Sequence, residues 1–248
     1  MGRAKDIILK VLPSKIANEF VKEHHYSGKV VQNSSLHFGC FLDGKLGGVM
    51  SFGSPLDKRK VLPLVHTDKG EPVLWNEMLE LNRMAFSDIL PRNSESRCIA
   101  ISIKLLKKNA PHIKWILSFS DGTQCGDGTI YRASGFELTS IKTNENTCEL
   151  PNGDVIHKMT LESSPLSKRK ELDDKSYYDL TGGKYDFKKY VEFVKGKILI
   201  GYQLRYILLI DKTCNITVPI LPFSEIDKIG AGMYKGEKIT IEERKNKE

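Results

Sequence analysis

The chain lacks any apolar run close to the roughly 18 residues that a membrane-spanning helix requires, which excludes a transmembrane reading. The start, Met1 to Lys5, is basic, but the apolar stretch after it is too short for a signal peptide. The expected compartment is therefore the cytoplasm. Cysteine is sparse: Cys40, Cys98, Cys125, Cys148 and Cys214 are scattered, odd in number, and never at metal-clip spacing. That pattern excludes a disulfide framework. Cys125 sits in a loop that reads as functional, yet an ordinary free thiol is the better reading of it. No internal repeat is visible.

What is present suits a globular protein. The 248 residues can bury a real core in one domain, and 40% hydrophobic with 28% charged content is ordinary for such a chain. The formal charge of +7 and pI of about 9.0 suit a polyanionic partner, of which nucleic acid is the commonest. A solvated lysine face accounts for the same numbers.

Residues 7–12 read as a strand stopped by Pro13. Ser14 can cap a following helix with Ile16, Phe20 and His24 on one face. Residues 37–43 and 46–53 read as a hairpin turning at Asp43-Gly44, a strong type I′ signal. Residues 73–86 are apolar with mixed period. Asn93, Ser94 and Ser96 are candidate caps for a helix running to about Asn109, which Pro111 ends. A buried strand over 113–119 and a short helix from Thr129 follow. Residues 136–150 and 155–161 form a second expected hairpin around Asn152-Gly153. Residues 163–196 are polar and charged with interleaved tyrosines, as an insertion or mobile arm would be. Residues 197–210 read as another apolar strand. The expected organisation is a core over 1–162, the charged segment 163–196, and a strand and tail over 197–248 completing the same domain.

The stretch Ser118-Phe119-Ser120-Asp121-Gly122 through Gly128-Thr129-Ile130-Tyr131 carries the most chemistry. It places an acid at a strand's carboxyl end, then a glycine-rich loop, then a tyrosine one turn into a helix. In open α/β sheets ligands sit beyond such strand ends. Asp121 is the leading candidate for a general base, although a turn aspartate capping its own loop fits the position too. Tyr131 reads as a general acid, a substrate anchor, or a core ring. Arg83 stands amid Leu81, Met84, Ala85 and Phe86, and an arginine there needs a partner, either Asp121 or a substrate group. His25 and Tyr26 end the first helix, where His25 could be a base, a metal ligand, or an exposed helix-end residue. Tyr202 and Tyr206 share one face of a strand with Arg205 opposite, a face that could stack a base or simply pack the core.

The Ser-Asp, glycine-loop and Gly-Thr-Ile-Tyr-x-Ala pattern resembles the phage-type branch of the GNAT acyltransferases, and nearest the Mom family of DNA-adenine modification proteins. Three further segments support the resemblance: His25-Tyr26-Ser27-Gly28, Glu80-Leu81-Asn82-Arg83-Met84, and the tail from Gly201-Tyr202-Gln203 to Pro222-Phe223. It covers most of the chain outside 163–196. It implies a mixed, mostly antiparallel sheet flanked by helices, an α/β (α+β) fold, with residues 80–86 as its central strand. It also implies a transferase that converts adenine N6 in double-stranded DNA to a carbamoylmethyl-type adduct, a mark that shields phage DNA from restriction. Asp121, Tyr131, Arg83, His25 and Tyr26 would be the catalytic residues. The group donor would be a small molecule, with acetyl-CoA or another acyl-CoA as the cofactor implied, its pyrophosphate near Pro91 to Cys98 with Arg92, Ser94, Ser96 and Arg97. The superfamily's Gln/Arg-x-x-Gly-x-Gly/Ala loop is missing there. An iron site of His25, Tyr26 and Asp121 is implied in the same way. Lys58, Arg59, Lys60, Lys168, Arg169 and Lys170 would contact phosphates, with Tyr202 and Arg205 at the DNA. The alternatives are an ordinary acyl-CoA-dependent N-acetyltransferase and a non-catalytic DNA-binding protein on a degenerate acyltransferase fold.

Overall fold

The computed structural model describes residues 3–123, 126–234, 237–240 and 242–243, so Cys125 lies outside the described residues. They build an eight-stranded sheet. The chain runs β1 (Ile8–Val11), α1 (Ser14–His24), β2 (Ser34–Leu42), β3 (Lys45–Gly53), β4 (Met78–Phe86), α2 (Ser94–Asn109), β5 (Trp115–Asp121), α3 (Thr129–Ala133), β6 (Glu137–Glu149), β7 (Val155–His157) and β8 (Lys197–Leu209). The strand order is β1-β2-β3-β4-β5-β8-β6-β7. Every neighbour is antiparallel except β4 with β5. The expected mixed, mostly antiparallel sheet flanked by helices is what forms.

Local chemistry explains the turns. Asp43 and Gly44 both take positive φ, 51° and 77°, as a type I′ turn between β2 and β3 demands. Gly135, at φ 80°, follows α3 and lets the chain turn into β6.

One sheet face packs α1 through Ala17, Phe20 and Val21 against Val49 and Ala85. The expected stripe is rotated. Ile16 is 44% exposed and His24 lies on the surface, because the small side chain of Ala17 is what permits close approach to the strands. The other face packs Cys98, Ile99 and Leu106 of α2, with Tyr131 of α3, against Phe52, Ile116, Leu138, Leu204 and Tyr206. Residues 163–196, read as an insertion or mobile arm, fold as a packed insertion. Leu172, Tyr177 and Tyr190 are fully buried there with Cys148, Leu161 and Phe187. The interleaved tyrosines of that segment supply its core. Residues 155–161 also depart from a continuous strand: β7 ends at His157, and a short helix, Lys158–Glu162, begins.

The late strand β8 fills the gap between β5 and β6, pairing Gln203 with Asp121 on one side and with Lys142 on the other. Near its start Leu199 pairs with Thr147 and Gly201 with Asn144, so β6 carries the extra residue of a bulge. A Cβ on Gly201 would stand 2.7 Å from the Cα of Thr123. Gly201→Ala is expected to cost about 1–3 kcal/mol through this overpacking. A chemical-denaturation midpoint equal to wild type would show that the 121–123 turn does not press on β8.

Candidate active site

The parallel ladder of β4 and β5 is short. It runs from Met78 with Trp115 to Leu81 with Ser118, where the Ser118 hydroxyl donates to Leu81 O at 3.0 Å. Beyond that rung β4 continues to Phe86 and β5 to Asp121 without pairing to each other. The strand ends splay, and a cleft of about 2130 Å³ opens there. Asp121, Tyr131, Arg83, His25 and Tyr26 all line it, as do Glu80, Lys29 and His157.

A bulge sets the side chains of β4. Ser51 pairs with Arg83 and Phe52 with Leu81, leaving Asn82 as the extra residue. Glu80 and Arg83 therefore project to the same face, the α1 side, which simple alternation would deny them. Arg83 donates through Nε to Lys29 O and through a terminal nitrogen to Asn82 O, both at 3.0 Å. Burial lowers its affinity for its proton, while Tyr26, Glu80 and Tyr131 lie in electrostatic range and oppose that. The guanidinium stays charged. Burial pushes the Glu80 carboxyl up to about 7, with Arg83 pulling the other way.

Asp121 is held from below. Its Oδ1 accepts from the Thr123 N–H at 3.0 Å and from Asn144 Nδ2 at 3.2 Å. The first bond is the turn-capping contact that the sequence allows. The second comes from a buried amide at the β6 bulge. Tyr131 comes from α3 on the opposite face and is 9% exposed. Its ring centroid lies 5.2 Å from Tyr206 and 5.4 Å from Phe136. It belongs to the core and to the cleft wall at once.

His25 follows α1, and burial, then Arg83, lowers its imidazole to about 4, so it is neutral at physiological pH. Its Nδ1 accepts from the Ser27 N–H at 3.1 Å, and the ring stacks on Tyr26 at 4.2 Å. Among the described residues no three His, Cys, Asp or Glu side chains are grouped to hold a metal ion. His25 Nδ1 and Asp121 Oδ1 are engaged in hydrogen bonds, and the iron site of His25, Tyr26 and Asp121 that the resemblance implied gains no support from this arrangement.

The expected cofactor residues divide. Arg92 and Ser96 line the cleft at the N-terminus of α2. Ser94 is buried, with its hydroxyl donating to Pro91 O, and Arg97 lies exposed outside the cleft lining. Asn93 takes a left-handed conformation, φ 67°, without a side-chain cap, so the expected capping role is unfilled.

The expected DNA contacts also divide. Lys58, Arg59 and Lys60 are exposed, as are Lys168 and Lys170. Arg169 is tied down, donating to Glu171 at 3.2 Å and to Thr160 O at 2.9 Å. Arg205 spends its guanidinium on Thr139. Tyr202 donates to Ile229 O at 3.3 Å, and Tyr206 is fully buried with its hydroxyl donating to Asp127 O. Core packing, the other reading of the Tyr202–Tyr206 face, is what holds for Tyr206.

Two lining residues, Glu80 and His157, and the Asp121 partner Asn144 escaped sequence reasoning. Glu80 had the same signal as Arg83, a charge inside an apolar strand. Asn144 had none before the bulge was known. His157 sat in an expected strand, but its Nδ1 accepts from the Met159 N–H at 3.1 Å and caps the next helix. Desolvation lowers its affinity for a proton, and Asp121 opposes that.

The Glu80 shift has a stability sign. A carboxyl raised from its ordinary 4.5 to about 7 stays protonated in the folded chain while the unfolded chain ionises. Stability therefore falls as pH rises from 4.5 to 7 and stays lower above it. Glu80→Gln removes that loss. Thermal melts should show the variant gaining over wild type at pH 8 and not at pH 4; equal differences at both would mean that Glu80 ionises freely.

Comparison with known proteins follows from this geometry. Among solved structures, the ribosomal-protein-S18-alanine N-acetyltransferase from Escherichia coli aligns over 83% of this chain and 94% of its own, at 10% identity and a TM-score of 0.42. A GNAT family acetyltransferase from Elizabethkingia anophelis, solved with acetyl-CoA bound, aligns over 61% of this chain and 93% of its own, at 14% identity and a TM-score of 0.39. The methylcarbamoylase mom of Escherichia phage Mu is 33% identical over 162 residues, 64% of this chain. The aligned part spans 63% of that relative's length. The Mom protein family model matches residues 6–225, nearly the whole sheet with its cleft and insertion, and the chain belongs to the Mom protein family.

Proposed function

We propose that this chain is a transferase that modifies adenine in DNA at the exocyclic N6, placing a carbamoylmethyl-type group there. The observation that carries the reading is the convergence of Asp121, Arg83 and Tyr131, from β5, β4 and α3, on one cleft. The relative in phage Mu bears the name methylcarbamoylase, which supports transfer of a small carbamoyl-containing group. The net charge of +7 and the exposed Lys58-Arg59-Lys60 stretch support a DNA partner.

In a duplex adenine N6 shows only its edge in the major groove and one of its protons is held in the base pair, so the base must leave the stack to enter the cleft. N6 is a poor nucleophile until its proton has an acceptor. Asp121, oriented by Thr123 and Asn144, is that acceptor. Arg83 and the Tyr131 hydroxyl stabilise negative charge that develops on the donor. The adduct is an N-alkyl group, so plain acetyl transfer does not make it. An acyl-CoA donor would lie with its pyrophosphate at the start of α2, where the first-turn N–H groups lack intrahelical acceptors and Arg92 and Ser96 line the cleft. A coenzyme A thioester held there would offer its carbonyl carbon, and attack by N6 with loss of the thiolate gives an amide, so the N6–methylene bond of a carbamoylmethyl group requires a donor that carries a leaving group on that methylene carbon.

Mass spectrometry of nucleosides from cells expressing the protein should reveal a new adenine derivative. Unmodified DNA would overturn the reading. Asp121→Asn should reduce that derivative by about a hundredfold or more. Retention of wild-type levels in that variant would remove Asp121 from the chemistry.

Tyr131→Phe keeps the ring against Tyr206 and Phe136 and removes only the hydroxyl. Modification should fall roughly ten- to a thousandfold, with the melting temperature nearly unchanged. A fully active Tyr131→Phe protein would assign Tyr131 to the core alone.

A further inference from the structure

Two cations on one cleft wall, Lys29 and Arg83, are linked to a third, Arg169, that lies outside the cleft lining. Lys29, in the loop after α1, donates from Nζ to Thr160 Oγ1 at 2.5 Å. Arg169, from the insertion, donates to the carbonyl of the same Thr160 at 2.9 Å. Arg83, on β4, donates to Lys29 O at 3.0 Å. One line of hydrogen bonds thus joins Arg83, Lys29, Thr160 and Arg169.

The charges along that line are unevenly answered. Arg169 has Glu171 at 3.2 Å. Neither Lys29 nor Arg83 has an ion-pair partner among the described residues. Glu80 lies in electrostatic range of Arg83, but burial pushes it up to about 7, so it offsets the guanidinium only in part. The Lys29 side chain is exposed to the cleft, yet its ammonium is held below its ordinary value by partial desolvation, then by Arg169 and Arg83. Surplus positive potential on a solvent-accessible wall is the electrostatic complement of an anion. A point-charge ammonium, a forked guanidinium and a threonine hydroxyl together match tetrahedral phosphate oxygens.

We propose that Lys29 forms a phosphate seat on the α1-side wall of the cleft, with Thr160 and Arg169 fixing it in place and the Arg83 charge adding to the field there. The seat rests on the DNA reading for its main ligand, the phosphodiester next to the extruded adenine. His157 lines the same cleft within electrostatic range of Asp121, Lys29, Glu162 and Arg83. The sugar–phosphate of a flipped nucleotide would then be anchored while its base faces Asp121. A phosphorylated donor presents the same chemistry, and the test separates the two sources.

Lys29→Gln removes the charge but keeps a group able to donate to Thr160; Lys29→Arg keeps the charge. Binding of the full chain to a fluorescent duplex oligonucleotide is measured across a salt series. Inorganic pyrophosphate is titrated in parallel. For Lys29→Gln the slope of log affinity against log salt should be shallower by about 0.9, with Lys29→Arg at the wild-type slope. A lost response to pyrophosphate with an unchanged DNA slope would instead give the seat to a phosphorylated donor. If Lys29→Gln matches wild type in both, there is no seat. Nucleoside analysis of the same proteins keeps the readings apart. A wild-type chain that modifies DNA while Lys29→Gln leaves both binding measures unchanged loses only the seat. A wild-type chain that leaves DNA unmodified while Lys29→Gln shifts the slope loses only the enzymatic reading.

Discussion

The parallel pairing of β4 and β5 ends at Leu81 and Ser118, and the site depends on that ending. Parallel ladders normally continue as far as both strands do, because unpaired N–H and C=O groups are costly when buried. Here the two strands are held apart by what grips their outer edges. β3 pairs along β4 as far as Phe86, and β8 pairs along β5 as far as Asp121. Each strand keeps one satisfied edge, and the inner edges diverge into a space that solvent or ligand can reach. The cleft is an interruption in hydrogen bonding within a single sheet, and its walls inherit the rigidity of the strands.

That origin explains why the side chains on the cleft come from so many elements. A gap between strand ends is open to both faces of the sheet. The α1 face contributes Arg83, Glu80 and the loop after α1. The α2 face contributes Tyr131, packed in the main core by Tyr206 and Phe136. Behind the lining, Arg169 of the 163–196 segment braces the cleft residue Thr160 while Glu171 balances its charge.

The order of strands and helices was legible because the turn chemistry was local. Asp43-Gly44 fixed the first hairpin, and Gly135 marked where α3 gives way to β6. Asp121 and Tyr131 were singled out by a strand-end acid before a glycine loop taken together with the family resemblance, and both line the cleft. What could not be read depends on register or distant packing. Alternation along Glu80-Leu81-Asn82-Arg83 puts the two charges on opposite faces, and only the bulge at Asn82 reverses that. Asn144 reaches Asp121 only because β8 pulls β6 into the same sheet with an extra residue. Tyrosines scattered among lysines in 163–196 looked like a solvated arm, since their burial rests on partners such as Cys148 and Leu161 outside the segment. Arg205 looked like a contact for DNA until Thr139, 66 residues away in sequence, engaged its guanidinium.

The position of β8 has a consequence for how the chain is made. It lies between β5 and β6 in space but follows both, and the whole insertion, in sequence. Until it is synthesised, β5 lacks an edge partner and β6 has no place in the sheet. The nascent chain can form the meander β1 to β4 with α1 and α2, all of it local in sequence, and must then wait with an apolar edge exposed. Long-range strand insertion of this kind is slow and prone to mispairing. A chain ending before about residue 209 would carry most of the side chains that line the cleft and still lack the strand that joins the two parts of the sheet around them.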